Sequence, residues 1–325
     1  MMAEASLSQQ DAMRASLPHI LVVIPTRDRP ADLGRCLESL ALVAYPSWEL
    51  LIVDQSVGDA SRQMAETCRD RLPKLTYERM RERGQCRGRN VGLERAGAGI
   101  VAYLDDDCTV DPGWLADVVG AFRRHPSATL VFGSVHAAPH DPEKLLIPVM
   151  LFERERVVAA ATRRTEWGMG ASMYLWPARS SHRHRFDVHL GPGTRWPAAD
   201  DWDYAIRVAL AGDPVVLTPA IRVCHHGARS LEGGAARRLV RGYAHGVGAM
   251  DMKMIRCGDM TAVWRALEQI RSYLSTFLLL LAAGKRPSGL GRLAMYVRGL
   301  AESFLLPVDQ ARCLYVASRH AAMRR

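Results

Sequence analysis

Three short runs of the chain are apolar from end to end: residues 20–24 (ILVVI), 50–53 (LLIV) and 100–104 (IVAYL). A strand with one wet face alternates apolar and polar residues, so a run without a polar member has to be covered on both faces. Helical spacing separates the runs. Leu33, Cys36, Leu37 and Leu40 follow the first of them, residues 59–71 and 89–96 also read as helical, and residues 75–79 read as extended. Strands and helices alternating in this way predict an α/β fold: a mostly parallel sheet with helices on both faces. A chain of 325 residues, 48% hydrophobic, can build one large domain with an appendage, which excludes a disordered, collagen-like or multi-span membrane protein.

Such sheets hold ligands at the carboxyl ends of their strands. Here those ends carry Thr26, Arg27 and Asp28 after the first run, Asp54 after the second, and Asp105, Asp106 and Asp107 after the third. Farther on, residues 114–123 read as a helix, 129–132 as a strand, and 168–176 as a small-residue turn running into a strand; residues 136–164 fit no element clearly. A Gly- and Pro-rich loop, 190–197, delivers Asp200 and Asp201 to the start of a helix that Gly212 ends. Residues 215–217 and 221–224 read as extended and finish at His225 and His226.

Three adjacent carboxylates repel one another, and a divalent cation with a taste for oxygen ligands relieves that cost. Alternation along an extended chain sends Asp105 and Asp107 to one side, where both can face one Mg²⁺ or Mn²⁺. One carboxylate of the Asp200–Asp201 pair can cap the helix; a second is free to act as a general base. Either His225 or His226 can point at a given site as a metal ligand, but not both. Arg87, Arg89 and Asn90 lie where a loop enters a helix, a place suited to phosphate.

Taken in order, residues 24–29 (IPTRDR), 53–56 (VDQS), 87–92 (RGRNVG), 104–107 (LDDD), 168–171 (GMGA), 200–203 (DDWD) with Arg207 and Gly212, and finally His225 resemble the inverting family 2 glycosyltransferases of the GT-A fold. The likeness covers roughly residues 19–230 and implies an enzyme that moves a sugar from a nucleotide-diphosphate donor of the UDP, GDP or TDP type to a hydroxyl acceptor, in the making of glycans, glycolipids or glycosylated metabolites. It implies that Asp54 hydrogen-bonds the nucleotide base beside Pro25 and Arg27, where the family commonly has Tyr at position 27. Asp105 and Asp106 would meet the ribose or metal-bound water, and Asp107 the metal. Asp201 would be the catalytic base, His225 would complete the metal site with His226 as the fallback, and Arg87 with Asn90 would serve the diphosphate. Two alternatives stand beside this reading. A nucleotidylyltransferase should carry a Gly-rich phosphate loop after the first strand, and residues 25–30 have no glycine; a degenerate nucleotide-sugar-binding scaffold has no need of all four of Asp105, Asp107, Asp201 and His225.

Three segments are therefore expected: a flexible 1–18, a catalytic domain over 19–230 and a basic helical region over 231–325. That last region holds 15 Lys and Arg against 6 Asp and Glu, which accounts for the whole net charge of +9. Trp264, Leu267, Ile270, Leu274, Phe277 and Leu281 form one amphipathic helical stripe; Leu290, Leu293, Val297, Leu300 and Phe304 form another. The helices suit packing on the catalytic domain, an anionic membrane surface or a homodimer interface; no stacking platform accompanies them, so nucleic acid is not an expected partner. Seven scattered cysteines without a CxxC pair predict reduced thiols and no disulfide frame. Residues 1–18 lack an export signal, so the expected place is the cytoplasm, including the inner face of the cell membrane.

Overall fold

The computed structural model describes residues 17–158, 167–180, 182, 184–284 and 289–316. The expected flexible segment falls almost wholly outside these residues, as do residues 285–288 between the last two helices. In chain order the elements are β1 (Ile20–Thr26), α1 (Pro30–Leu40), β2 (Trp48–Asp54), α2 (Ala60–Cys68), β3 (Leu75–Arg79), α3 (Gln85–Arg95), β4 (Ile100–Tyr103), β5 (Cys108–Val110), α4 (Trp114–Arg124) and β6 (Leu130–Ala137). Then follow β7 (Leu145–Leu146), β8 (Arg156–Val158), β9 (Met173–Leu175), α5 (Asp200–Leu210), β10 (Val215–His225), β11 (Arg229–Ser230), α6 (Ala235–Arg256), α7 (Thr261–Ala282), α8 (Gly289–Phe304), β12 (Val308–Asp309) and β13 (Leu314–Tyr315).

The three apolar runs are β1, β2 and β4, buried on both faces as their composition requires. They lie side by side in a nine-stranded sheet ordered β3-β2-β1-β4-β9-β6-β10-β5, with β8 also on β10. β1 pairs in parallel with both β2 and β4, so the chain leaves β1 in one direction across the sheet and returns to it from the other. β9 enters antiparallel between β4 and β6. The two extended stretches after residue 214 are one eleven-residue strand, β10, with a register shift between Thr218 and Arg222.

Several elements differ from the sequence expectation. The helix expected at 59–71 is α helix only to Cys68 and tightens to a 3₁₀ turn at Arg69–Arg71. α3 begins at Gln85, four residues before the expected 89, because Gly84 turns the chain at φ +121°. Arg87, Arg89 and Asn90 are thus on the helix itself. α6 is a further helix of 22 residues. Its Ala249, Met250 and Met254 join the core on one face of the sheet, together with Tyr315. Lys253 is fully buried there, 2.7 Å from Asp203 and 2.5 Å from Asp187. Such a buried cation is retained only with paired carboxylates.

The expectation of seven free thiols is corrected. Cys257, just past α6, and Cys313, in the β12–β13 turn, are joined in a disulfide. They are 56 residues apart in sequence, a pairing that only the docking of the last segment onto α6 brings about. Cys36, Cys68, Cys86, Cys108 and Cys224 are free.

Candidate functional site

The carboxyl ends of β1 and β4 open into a cleft of about 480 Å³. Pro25, Thr26, Arg27 and Arg29 line one side, Asp105, Asp106 and Asp107 the floor, and His225 and Gly227 the far end of the floor. Pro192, Gly193 and Pro197 face them from the 190–197 loop, with Leu239 and Tyr243 of α6. The site therefore sits where strand order reverses beside β1, as the physics of open parallel sheets demands.

Each aspartate of the triplet has a different job. The backbone turns sharply after Tyr103, the Cys108 amide donating to the Asp105 carbonyl at 3.1 Å, so the strand alternation expected to aim Asp105 and Asp107 at one ion does not continue. Asp105 Oδ1 accepts from Gln85 Nε2 at 2.6 Å and from Arg89 at 3.3 Å. Asp106 accepts from Thr26 Oγ1 at 2.7 Å and Arg29 at 3.3 Å; burial, only partly offset by Arg29, pushes its carboxyl up to about 7. Asp107 lies 3.1 Å from Arg29 and 3.3 Å from His225 Nε2. Burial works against its charge, but the His225 hydrogen bond and charge win and hold it below the ordinary carboxylate value.

The two histidines face different ways. His225 is buried, its Nδ1 on the Pro148 carbonyl at 3.0 Å, which leaves Nε2 toward Asp107. His226 turns the other way, its Nε2 2.9 Å from Thr109 Oγ1. A Cβ at Gly227 would come within 2.5 Å of Asp107 Oδ2 and 2.6 Å of His225 Nε2, so only glycine leaves that space open. With Cys108, these two residues place ligand atoms within 4.8 Å of one another. Burial and three nearby aspartates keep the Cys108 thiol far above its ordinary value, so its sulfur stays protonated. A carboxylate, an imidazole and an open cradle fit a divalent cation.

Asp201 opens α5. Ala199, just before the helix, is at φ +68°, a left-handed conformation costly for alanine. Asp201 Oδ2 accepts from the Gly170 amide at 2.8 Å and Oδ1 from the Trp202 amide at 2.8 Å. Burial first and the adjacent Asp200 second push its carboxyl up to about 7, against the pull of Arg89. Asp200 is tied instead to Arg89 Nη1 at 2.6 Å.

Of the other sequence candidates, Pro25 and Arg27 line the cleft, and Arg27 Nε lies 3.4 Å from the Asp28 carboxylate. Asp54 does not reach it: fully buried, its carboxylate is taken by the Ser56 amide at 2.8 Å, the Ser56 hydroxyl and the Tyr77 hydroxyl. Asn90 is also turned inward, clamping the Phe186 backbone with bonds of 3.0 and 2.8 Å. Arg87 is outside the cleft lining. The guanidinium that joins the site is Arg89, 2% exposed, between Asp105 and Asp200 and over the rings of Phe186 and Tyr103. Its signal is in the glycines: a Cβ at Gly170 would meet Arg89 Nη2 at 2.3 Å.

Residues 21–171 match the family model described as Glycosyl transferase family 2. Glycosyltransferase AglE of Haloferax volcanii is 31% identical over 108 residues, 32% of this chain and 35% of that protein. The chain thus spans about a third of that relative's length. Succinoglycan biosynthesis protein ExoM of Rhizobium meliloti is 26% identical over 237 residues, 70% of this chain and 74% of that one. Among solved structures, mannosyltransferase PcManGT of Pyrobaculum calidifontis in complex with GDP-Man and Mn²⁺ superposes with a TM-score of 0.55 at 17% identity, covering 92% of this chain and 86% of that one. At that identity the likeness establishes the GT-A fold alone.

Proposed function

We propose, from the premise that residues 21–171 are a glycosyl transferase family 2 domain, that this chain transfers a sugar from a nucleotide-diphosphate donor to an acceptor hydroxyl with inversion, aided by Mg²⁺ or Mn²⁺. One observation carries the reading: Asp107 and His225 meet at the floor of a cleft that Met169 and Tyr243 also line, and Asp201 holds the backbone amide of Gly170, next to Met169. Two separated roles follow, one for the leaving diphosphate and one for the attacking hydroxyl.

Asp107 and His225 would hold the cation, with Asp105 beside them; bound there, it supplies positive charge to the departing diphosphate. Arg29, already on Asp106 and Asp107, adds a guanidinium that can turn to a phosphate oxygen. Pro25 and Arg27 form the wall for the base. Asp54 acts one step back, holding Ser56, whose Oγ receives the Asp28 amide at 2.7 Å. Asp201 accepts the proton of the acceptor hydroxyl, the two backbone amides fixing its carboxylate. The acceptor lies between the 168–173 turn, the 190–197 loop and Tyr243 of α6.

The C-terminal helices supply a second contact. No helix among the described residues is long and apolar enough to cross a membrane. Yet α7 exposes Trp264, Leu267, Leu274, Leu278 and Leu281 along one stripe. With the basic charge of this region, the stripe suits an anionic leaflet on the cytoplasmic face, at about 1 kcal/mol per well-placed cation. Sedimentation with anionic vesicles tests this, and concentration-dependent self-association without vesicle binding would assign the stripe to a second copy.

The test of the catalytic reading is thermal unfolding against UDP, GDP, TDP and CDP, each with and without Mn²⁺. A ligand at about 100-fold excess over its dissociation constant stabilises by about 2.7 kcal/mol. One metal-dependent shift is expected, followed by turnover with sugar conjugates of that nucleotide. No shift with any of the four would leave a scaffold; formation of pyrophosphate from nucleoside triphosphate and sugar phosphate would make the chain a nucleotidylyltransferase.

A further inference from the structure

Two clusters among the described residues bring three metal-capable side chains together, and only the first lies in the cleft. The second joins His182 and His184 to Asp213, which follows the Gly212 that ends α5. Each places one ligand atom within 4.8 Å of the others. We propose that His182, His184 and Asp213 form a second metal site, selective for a transition ion of the Zn²⁺, Co²⁺ or Ni²⁺ class.

The rings of His182 and His184 lie 5.8 Å apart, tilted by 34°. The His184 ring is held edge-on to Tyr204 of α5 at 5.9 Å. Its Nε2 is buried and makes no hydrogen bond, a condition that native interiors seldom leave unanswered. Asp213 Oδ2 is 3.7 Å from that nitrogen. This is too long for a hydrogen bond but close to the spacing of about 3.4 Å between two ligands bound at roughly 2.0–2.1 Å around one tetrahedral ion. Ser180 Oγ donates to the same carboxylate oxygen at 2.5 Å, the kind of outer contact that fixes a ligating carboxylate. Exposed His182 can close on the ion from the solvent side.

Two imidazoles and one carboxylate prefer borderline ions to Mg²⁺, so this site and the carboxylate floor of the cleft should differ in their metals. Its place suggests its use. The ion would staple the segment after β9 to the end of α5, the helix whose other end carries Asp201.

The experiment is Co²⁺ titration of the full chain, read by the visible d–d absorption of the ion and by equivalents bound after dialysis against excess Mg²⁺. One Mg²⁺-resistant equivalent is expected. His182→Gln, a change at an exposed side chain, should weaken that equivalent at least about tenfold, as should Asp213→Asn, with circular dichroism of both variants matching the wild type. Zn²⁺ should displace the Co²⁺ and raise the unfolding midpoint of the wild type but not of His182→Gln. No Mg²⁺-resistant Co²⁺ in the wild type, or uptake unchanged in both variants, would overturn the site. Since His225 is untouched by either substitution, loss of this equivalent with nucleotide binding preserved also separates this site from the one in the cleft.

Discussion

Replacing Arg89 with methionine isolates the feature of the site that the sequence left ambiguous. The guanidinium is 2% exposed and donates to Asp200 at 2.6 Å and to Asp105 at 3.3 Å. Each hydrogen bond to a charged group contributes about 1.5–3 kcal/mol, and breaking a buried pair from one side costs about 3–5 kcal/mol because the other charge stays behind. Against a total stability of about 5–15 kcal/mol that loss is large, and with an unfolding entropy of about 2.1 cal/mol/K per residue the midpoint temperature of a 325-residue chain should fall by roughly 4–7 °C. Arg87→Met, one helical residue pair away and outside the cleft lining, should stay within about 0.5 kcal/mol of the wild type. The assay is thermal unfolding of the three proteins followed by tryptophan fluorescence. Adding Asp200→Asn to Arg89→Met should restore part of the loss, since it removes the stranded charge. The pH dependence has a definite sign. Burial already raises the Asp105 carboxyl and Arg89 opposes that rise; without Arg89 it climbs further. An acid held above its unfolded value costs stability while ionised, and the cost is relieved as pH falls. The gap between variant and wild type should therefore narrow toward acid. Equal stability of the Arg89 and Arg87 variants, or a gap that widens on acidification, would refute the assignment of Arg89 as the bridge of the site.

Asp201 must be ionised to accept a proton, and burial beside Asp200 places its titration at about 7, so the transfer rate should rise with pH through that value and level off above it. Asp201→Asn should abolish the rise and lower kcat by about 10²–10⁴ with nucleotide binding intact; a flat profile in the wild type would remove its role. Asp107→Ala and His225→Ala should both lose the Mn²⁺-dependent part of nucleotide stabilisation while His226→Ala keeps it, because only His225 faces Asp107; equal loss in all three would mean the histidines act through the fold. Gly168→Ala would set a methyl within 1.9 Å of the Phe132 ring, and overpacking of that kind costs about 1–3 kcal/mol or more; circular dichroism melting checks it, and an unshifted midpoint would contradict the packing of the 168–171 turn.

What the sequence by itself determined was the sheet and the edge at which ligands collect. Runs such as ILVVI have nowhere to be but a strand covered on both faces, and each polar residue that ends one must then stand at the carboxyl edge. That reasoning needs only local pattern, and Arg27, Asp105, Asp106 and Asp107 accordingly line the cleft. Tertiary structure alone decided which side chain faces what. Two helical positions separate Arg87 from Arg89, and which of them faces the site depends on Gly84 starting α3 early. Strand alternation fails at the turn after Tyr103, so Asp105 and Asp107 part company. Asp54 sits at the right strand end yet is consumed by Ser56 and Tyr77, partners 2 and 23 residues away in sequence. The Cys257–Cys313 disulfide and the burial of Lys253 between Asp187 and Asp203 likewise join segments that no local pattern relates. Local periodicity reports which face of an element is apolar; rotation about that element's axis, and the partner it meets, are settled only when distant segments pack.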